Sequence, residues 1–373
     1  MKKEGKEMSS KDIHLGASTY SYQEAIWRGD LDLQGVLTAI KGCGGEGIEI
    51  FGEELIPSFP YISDEFLYKW NYLLDNIGIE PVCYEHFADR RYWKDKKRFL
   101  SDDEVFEVSM QYLRSAKKLG CKFIKLSHDG HNGRWIMNDE FDHTIVNARI
   151  FERLLPYAEE MGVKMAMEVH APGLLEDGGN DDFLEAIERT KCYEGGGLML
   201  DFSGVCRDIH PQMEDNFVKR GAKREIIQYL REMSRKAHTY DGNNDVDWDE
   251  VEAKIKEMGA GPIEMAMLNG PALGMQLSFR NMLITPMETV KEYASRLCYC
   301  HAKMYWINED CTCDEIDYPR LFKALCEGGF KGWICTEFEG QRSVPHTLNE
   351  VEFVRRQHVL MRKCLAECAA EGL

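Results

Sequence analysis

Four short apolar runs in this 373-residue chain each end in a side chain that can bind a hard cation. Lys-Met-Ala-Met runs into Glu168, Gly-Leu-Met-Leu into Asp201, Leu-Cys-Tyr-Cys into His301 and Trp-Ile-Cys-Thr into Glu337. Any one of them alone would read as a capping or salt-bridging residue. Three carboxylates and an imidazole, each closing a predicted strand, instead predict one shared site for a single divalent metal, and so an enzyme. An oxygen-rich set with one nitrogen suits Mn²⁺ or Mg²⁺, with Co²⁺ a further fit. Structural zinc favours thiolates. The C-x-C pairs Cys298/Cys300 and Cys311/Cys313 lack the usual knuckle spacing.

Residues two apart on a strand share a face, which extends the predicted site. Glu168 brings His170, His301 brings Tyr299 and Lys303, and Glu337 brings Glu339. One strand earlier, His128 follows Ile124 and Leu126 on one face. The run Ser-His-Asp-Gly-His leaves open whether His128 or His131 points inward.

Eight strand candidates, starting near His14, Gly45, Ile79, Cys121, Val163, Gly196, Leu297 and Gly332, alternate with helical patterns. Glu104 to Leu119 is a predicted helix, with Ser101 and Glu104 as a capping box and Gly120 as its stop. Ile150 to Met161 and Leu348 to Ala366 are two more. Eight alternations predict a (β/α)₈ barrel, in which the C-terminal strand ends carry the active site. A doubly wound open sheet is the alternative, but no Gly-x-Gly-x-x-Gly turn follows the first strand.

The chain reads as one barrel domain over 1–373, interrupted between strands six and seven by an insertion over 205–296. That insertion contains predicted helices at Lys223 to Lys236 and Trp248 to Met258 and an apolar run from Pro262 to Leu277. Long connections are often functional, so a lid or partner surface is expected alongside the plainer reading of a surface subdomain.

The formal net charge of −18 argues against nucleic acid as a partner, since that needs an electropositive surface. No apolar stretch is long enough to span a membrane. The charged start Met-Lys-Lys-Glu-Gly-Lys-Glu-Met lacks the apolar core of a secretion signal, which predicts a cytoplasmic protein. The thirteen cysteines are then expected to be free thiols.

Together, Gly-Ile-Glu-Ile at 47–50, Glu168, Asp201, His301 with Lys303, and Glu337 resemble the xylose isomerase-like TIM barrels. The resemblance covers most of the chain outside the insertion. It implies that Glu168, Asp201, His301 and Glu337 bind one metal, which engages sugar oxygens while nearby groups move protons beside a carbonyl. The endonuclease branch of that superfamily has a histidine-rich three-metal site that this chain lacks. Many epimerases carry a histidine three residues after the strand-six aspartate, where this chain has Gly204.

That departure, the long insertion, Glu168-Val-His170-Ala-Pro and Val354-Arg-Arg-Gln-His358 are more similar to the catalytic α subunits of bacterial C-glycoside deglycosidases. The resemblance implies a lyase that releases an aromatic aglycone from a 3-oxo-C-glycoside, working with a small β subunit in a hetero-oligomer. It makes His128 or His170 the base and Lys303 the group polarising a sugar oxygen. Tyr92 and Trp93 would stack on the aglycone, and His131 and Glu339 would line the substrate, although the basic segment around Tyr92 also reads as a solvated face. A sugar isomerase, epimerase or inosose dehydratase is the alternative. A binding subunit without catalysis is a second, against which the intact ligand set stands.

Overall fold

The computed structural model describes residues 9–86, 92–93, 98–127, 143–171, 174–176, 178–270, 278–343 and 347–373. Eight parallel strands close into a barrel: β1 Ile13–Ser18, β2 Gly47–Phe51, β3 Glu80–His86, β4 Phe123–Ser127, β5 Lys164–Val169, β6 Gly196–Asp201, β7 Leu297–Met304 and β8 Gly332–Phe338. Each strand pairs with its neighbours in sequence, and β8 returns to β1. All eight begin within two residues of their predicted starts.

The helices lie outside this barrel. The expected capping box is present on Asp102–Leu119, where the Ser101 side chain accepts from Glu104 N and Glu104 accepts from Ser101 N. Gly120 ends that helix at φ +79°, a left-handed conformation that a side chain would strain. Its inner face buries Val105, Met110, Leu113, Ala116 and Leu119, each worth roughly 1.5–3 kcal/mol if large and fully buried. The helix expected from Ile150 begins earlier, at His143. The last helix, Glu350–Ala370, braces the barrel from outside: Gln357 Nε2 donates to Ala302 O at 2.9 Å, and His358 Nε2 meets Gly16 O at 3.1 Å.

The N-terminal end of the barrel is filled by Val82, Cys83, Ala166, Met199, Tyr299, Trp333 and Cys335. Trp333 lies against His14, with ring centroids 5.1 Å apart, and Lys122 sits over its ring. This closure depends on Gly47. A Cβ there would come within 2.2 Å of Val82 and 2.6 Å of Trp333.

Between β6 and β7 the chain forms helices Pro211–Lys219, Arg224–Ala237, Trp248–Glu257, Pro262–Asn269 and Met287–Tyr293, with a two-residue antiparallel ribbon pairing His238–Thr239 with Gly242–Asn243. Backbone bonds tie this segment to the barrel: Thr285 N donates to Gly204 O at 2.8 Å, and Arg207 N to Glu315 O at 3.1 Å. Part of the apolar run from Pro262 is consumed by packing, since Met267 and Leu268 are fully buried. Its end, residues 271–277, lies outside the described residues. Near the start of the segment the buried Asp208 meets Arg231 Nε at 2.7 Å and Arg235 Nε at 2.7 Å. No described helix is long and apolar enough to cross a membrane.

Candidate metal centre

Parallel register brings the four strand-end residues to one level. His301 pairs with Asp201 across β7 and β6, and Lys303 pairs with Glu337 across β7 and β8. Glu168 Oε1 lies 3.3 Å from His301 Nδ1, Glu337 Oε2 3.2 Å and Asp201 Oδ2 3.7 Å. One ligand atom from each of the four lies within 4.8 Å of all the others, and all four residues are buried. That spread is the size of a single-ion site, since ligands bonded to one ion at roughly 2.1–2.4 Å lie up to about 4.2–4.8 Å apart.

Hydrogen bonding tests whether a cation belongs there. His301 Nε2 lies 2.8 Å from both oxygens of Glu49. A carboxylate only accepts, so Nε2 carries the proton and the neutral ring turns its Nδ1 lone pair towards the three acids. Glu168 Oε1, Asp201 Oδ2 and His301 Nδ1 are buried with no hydrogen-bond partner. Asp201 Oδ1, by contrast, accepts from Ser203 N at 2.7 Å. Converging lone pairs that the protein leaves unanswered fit a bound cation, and the O₃N donor set fits a hard divalent one.

Charge around the centre follows from its neighbours. Burial alone would raise the Glu168 carboxyl, but Lys125 and the His301 ring hold it far below the usual range. Burial is likewise outweighed at Glu337, held low by His301, Lys303 and Lys125. Burial would lower His301, yet Glu337 and Glu49 push its imidazole well above the ordinary value. In the absence of a cation, the surrounding acids favour the protonated His301 ring.

Lys303 Nζ contacts Glu337, Glu339 at 2.9 Å and Asp201 at 3.4 Å. Glu339 Oε1 also accepts from Tyr20 OH at 3.3 Å. The expected alternation thus places Tyr299, Lys303 and Glu339 beside the four ligands. His170 follows the end of β5, half-buried, with Nδ1 2.6 Å from Ala171 O. That carbonyl requires Nδ1–H, so the neutral ring has its lone pair on Nε2. His128 and His131 lie outside the described residues. Tyr92 and Trp93 form a two-residue ribbon with Arg98–Phe99, and their side chains also lie outside the description.

Three charged side chains beside the centre were given no role from the sequence. Glu49 on β2 holds His301 and accepts from Tyr299 OH at 2.8 Å. Lys125 on β4 lies 2.7 Å from Glu85 and 3.2 Å from Glu168. Glu85 on β3 is fully enclosed, and burial pushes its carboxyl up to about 8 despite Lys125. Glu49 and Lys125 are each a lone charge within an apolar strand run, and that interruption was the available signal.

The chain belongs to the xylose isomerase-like TIM barrel family, whose model matches residues 37–272. Among curated relatives, it is 24% identical to a C-glycoside deglycosidase alpha subunit of Arthrobacter globiformis, over 96% of this chain and 94% of the relative. It is 25% identical to a 3'-dehydrocarminate deglycosidase alpha subunit of Microbacterium sp, over 95% and 93%. Solved structures share the fold at low identity. D-psicose 3-epimerase matches with TM-score 0.54 and 10% identity over 94% of this chain and 99% of that one. The IolI protein with a binding zinc atom matches at 0.53 and 14%, over 96% and 99%. These relatives and fold neighbours include deglycosidase subunits and an epimerase, all enzymes by name.

Proposed function

We propose that this chain is the catalytic subunit of a metal-dependent lyase that breaks the C–C bond between a 3-oxo sugar and an aromatic aglycone. One observation carries the reading. Three carboxylates and His301 Nδ1 converge, with Glu168 Oε1, Asp201 Oδ2 and Nδ1 itself lacking a hydrogen-bond partner, in a chain that aligns nearly end to end with deglycosidase alpha subunits.

Glu168, Asp201, His301 and Glu337 would hold the ion, with Mn²⁺ preferred and Mg²⁺ or Co²⁺ as substitutes. When bound, the ion supplies Lewis acidity towards the sugar carbonyl. Glu49 fixes the His301 ring so that Nδ1 faces the centre. Lys125 and Lys303 offset the crowded carboxylates and keep them ionised.

His170 takes the proton from the carbon between the keto carbon and the glycosidic carbon, using Nε2. The electrons of that C–H bond form a double bond to the glycosidic carbon. The C–C bond to the aglycone breaks, its electron pair stays with the aglycone carbon, and that carbon takes a proton. His128 is the alternative base. Tyr92, Trp93, His131 and Glu339 would contact substrate. The segment 205–296 would act as a lid or as the seat of a small β subunit, since both relatives are alpha subunits by name. Thirteen unpaired thiols suit a reducing cytoplasm.

The test is to mix the full chain, its small partner and Mn²⁺ with a 3-oxo-C-glucoside and follow free aglycone by chromatography. Release that requires the metal is the expected result. Interconversion of free keto-sugars without release would move the enzyme to the isomerases and epimerases. Sugar chemistry unaffected by loss of the metal in Glu168→Gln would sink the metal-dependent reading.

A further inference from the structure

Three buried polar atoms without partners meet around one small cavity outside the metal centre. Asp208, Ile209, His210, Met213 and Met282 of the insertion line it, together with Tyr305 and Glu315 from the segment that follows β7. His210 Nε2, Tyr305 Oη and Glu315 Oε1 are all buried, and none has a hydrogen-bond partner. Leaving such a group unanswered costs on the order of 1–3 kcal/mol, so three around one space call for an occupant.

The ring of His210 is held from two directions. Met213 N donates to Nδ1 at 3.2 Å, and Trp306 stacks on it with centroids 5.6 Å apart and planes 5° from parallel. Because Nδ1 accepts, Nε2 carries the hydrogen and is a donor. Glu315 Oε2 accepts from Cys313 Sγ at 3.1 Å, which leaves Oε1 as an acceptor. Tyr305 supplies a hydroxyl. The cavity gives about 10 Å³ to the centre of a water-sized molecule, room for one water and far too little for a sugar.

We propose that this cavity binds one ordered water, which accepts from His210 Nε2 and Tyr305 Oη and donates to Glu315 Oε1, and so fastens the insertion to the strand end that carries Lys303. Tyr305 lies two residues beyond Lys303, close enough for Lys303 and Glu339 to act on its phenol. His210, Tyr305 and Glu315 are therefore positioning residues. They hold the end of β7, and with it the Lys303 ammonium among Asp201, Glu337 and Glu339. The kinetic part of this inference rests on the lyase reading, whereas the water does not.

A crystal structure of the full chain at about 1.5 Å resolution tests the water directly. A single peak within hydrogen-bond distance of all three atoms is expected, and an empty cavity or direct pairing of the side chains would overturn the proposal. His210→Asn keeps an oxygen to cap Met213 N but withdraws the Nε2 donor, and Tyr305→Phe withdraws the hydroxyl. Both should lose the peak and lower kcat several-fold while KM and bound metal per chain stay unchanged. Full kcat in folded variants that have lost the water would refute the positioning role. If the native protein shows the water but no lyase activity, the proposed function fails and the water site stands.

Discussion

Asp208, in the insertion, and Asp201, at the end of β6, are equally withdrawn from water but differently answered by their surroundings. Asp208 is gripped by Arg231 and Arg235, and its Oδ1 also accepts from Ile209 N at 2.8 Å. Glu214, nearby, is taken by Arg224 at 2.7 Å and by Arg231. At the barrel mouth, Asp201 Oδ2, Glu168 Oε1 and His301 Nδ1 have no hydrogen-bond partner, although Lys303 lies 3.4 Å from Asp201 Oδ2 and Lys125 3.2 Å from Glu168 Oε2. Guanidinium groups complete the first cluster, because their planar forks match carboxylates. The second is left incomplete at those three inward atoms, and an added cation would complete it. Buried charge alone does not mark a functional site, whereas charge with its inward atoms unspoken for does.

The comparison predicts opposite outcomes for matched substitutions. His301→Ala or Glu168→Gln should reduce bound metal, measured by elemental analysis, from about one per chain to near zero. The proposed activity should fall on the order of a thousandfold with circular dichroism preserved. Retained metal would show that the two clusters do not differ in the way described. Asp208→Asn should do the reverse, lowering unfolding free energy in urea by about 3 kcal/mol while metal content holds.

Glu49→Gln sharpens the contrast, because it removes a support rather than a ligand. Calorimetric titration should show metal affinity weakened by roughly 10- to 100-fold. An unchanged affinity would mean that the His301 ring needs no anchor.

The smallest effect concerns two neutral imidazoles, one in the insertion and one on the last helix. Burial, with Arg231, holds His210 down to about 4, and burial, with Arg362, holds His358 there as well. The unfolded chain protonates both from about pH 6.5 downward, while the folded chain resists until about pH 4. Stability is therefore fully present above pH 6.5 and is lost as pH falls towards 4. Between pH 6.5 and 5.0 each should withdraw about 1.5 kcal/mol. His358→Gln should remove half of that slope in denaturant titrations, and an undiminished slope would assign it to other groups.

The barrel was legible because apolar runs and helix stops recur eight times, so that Gly196, Leu297 and Gly332 could be named as strand starts from pattern alone. The four converging residues were legible because each closes such a run. Alternation then carried the reading to Tyr299, Lys303 and Glu339. Glu49, Glu85 and Lys125 were harder. Tyr299 and His301 reach Glu49 across the barrel interior, and Glu85 and Lys125 meet through the register of two adjacent strands 40 residues apart, neither of which local spacing encodes. The cavity at His210 was illegible for the same reason, since residues from 208 to 315 must fold together before it exists.

Trp333 and the missing side chain at Gly47 give the barrel a sealed floor. A vessel stoppered at one end has a single doorway. Whatever the site takes in and gives out must then pass through the mouth. Slow turnover in such an enzyme would reflect a queue at that doorway, and widening it would hasten the last departure without touching the metal.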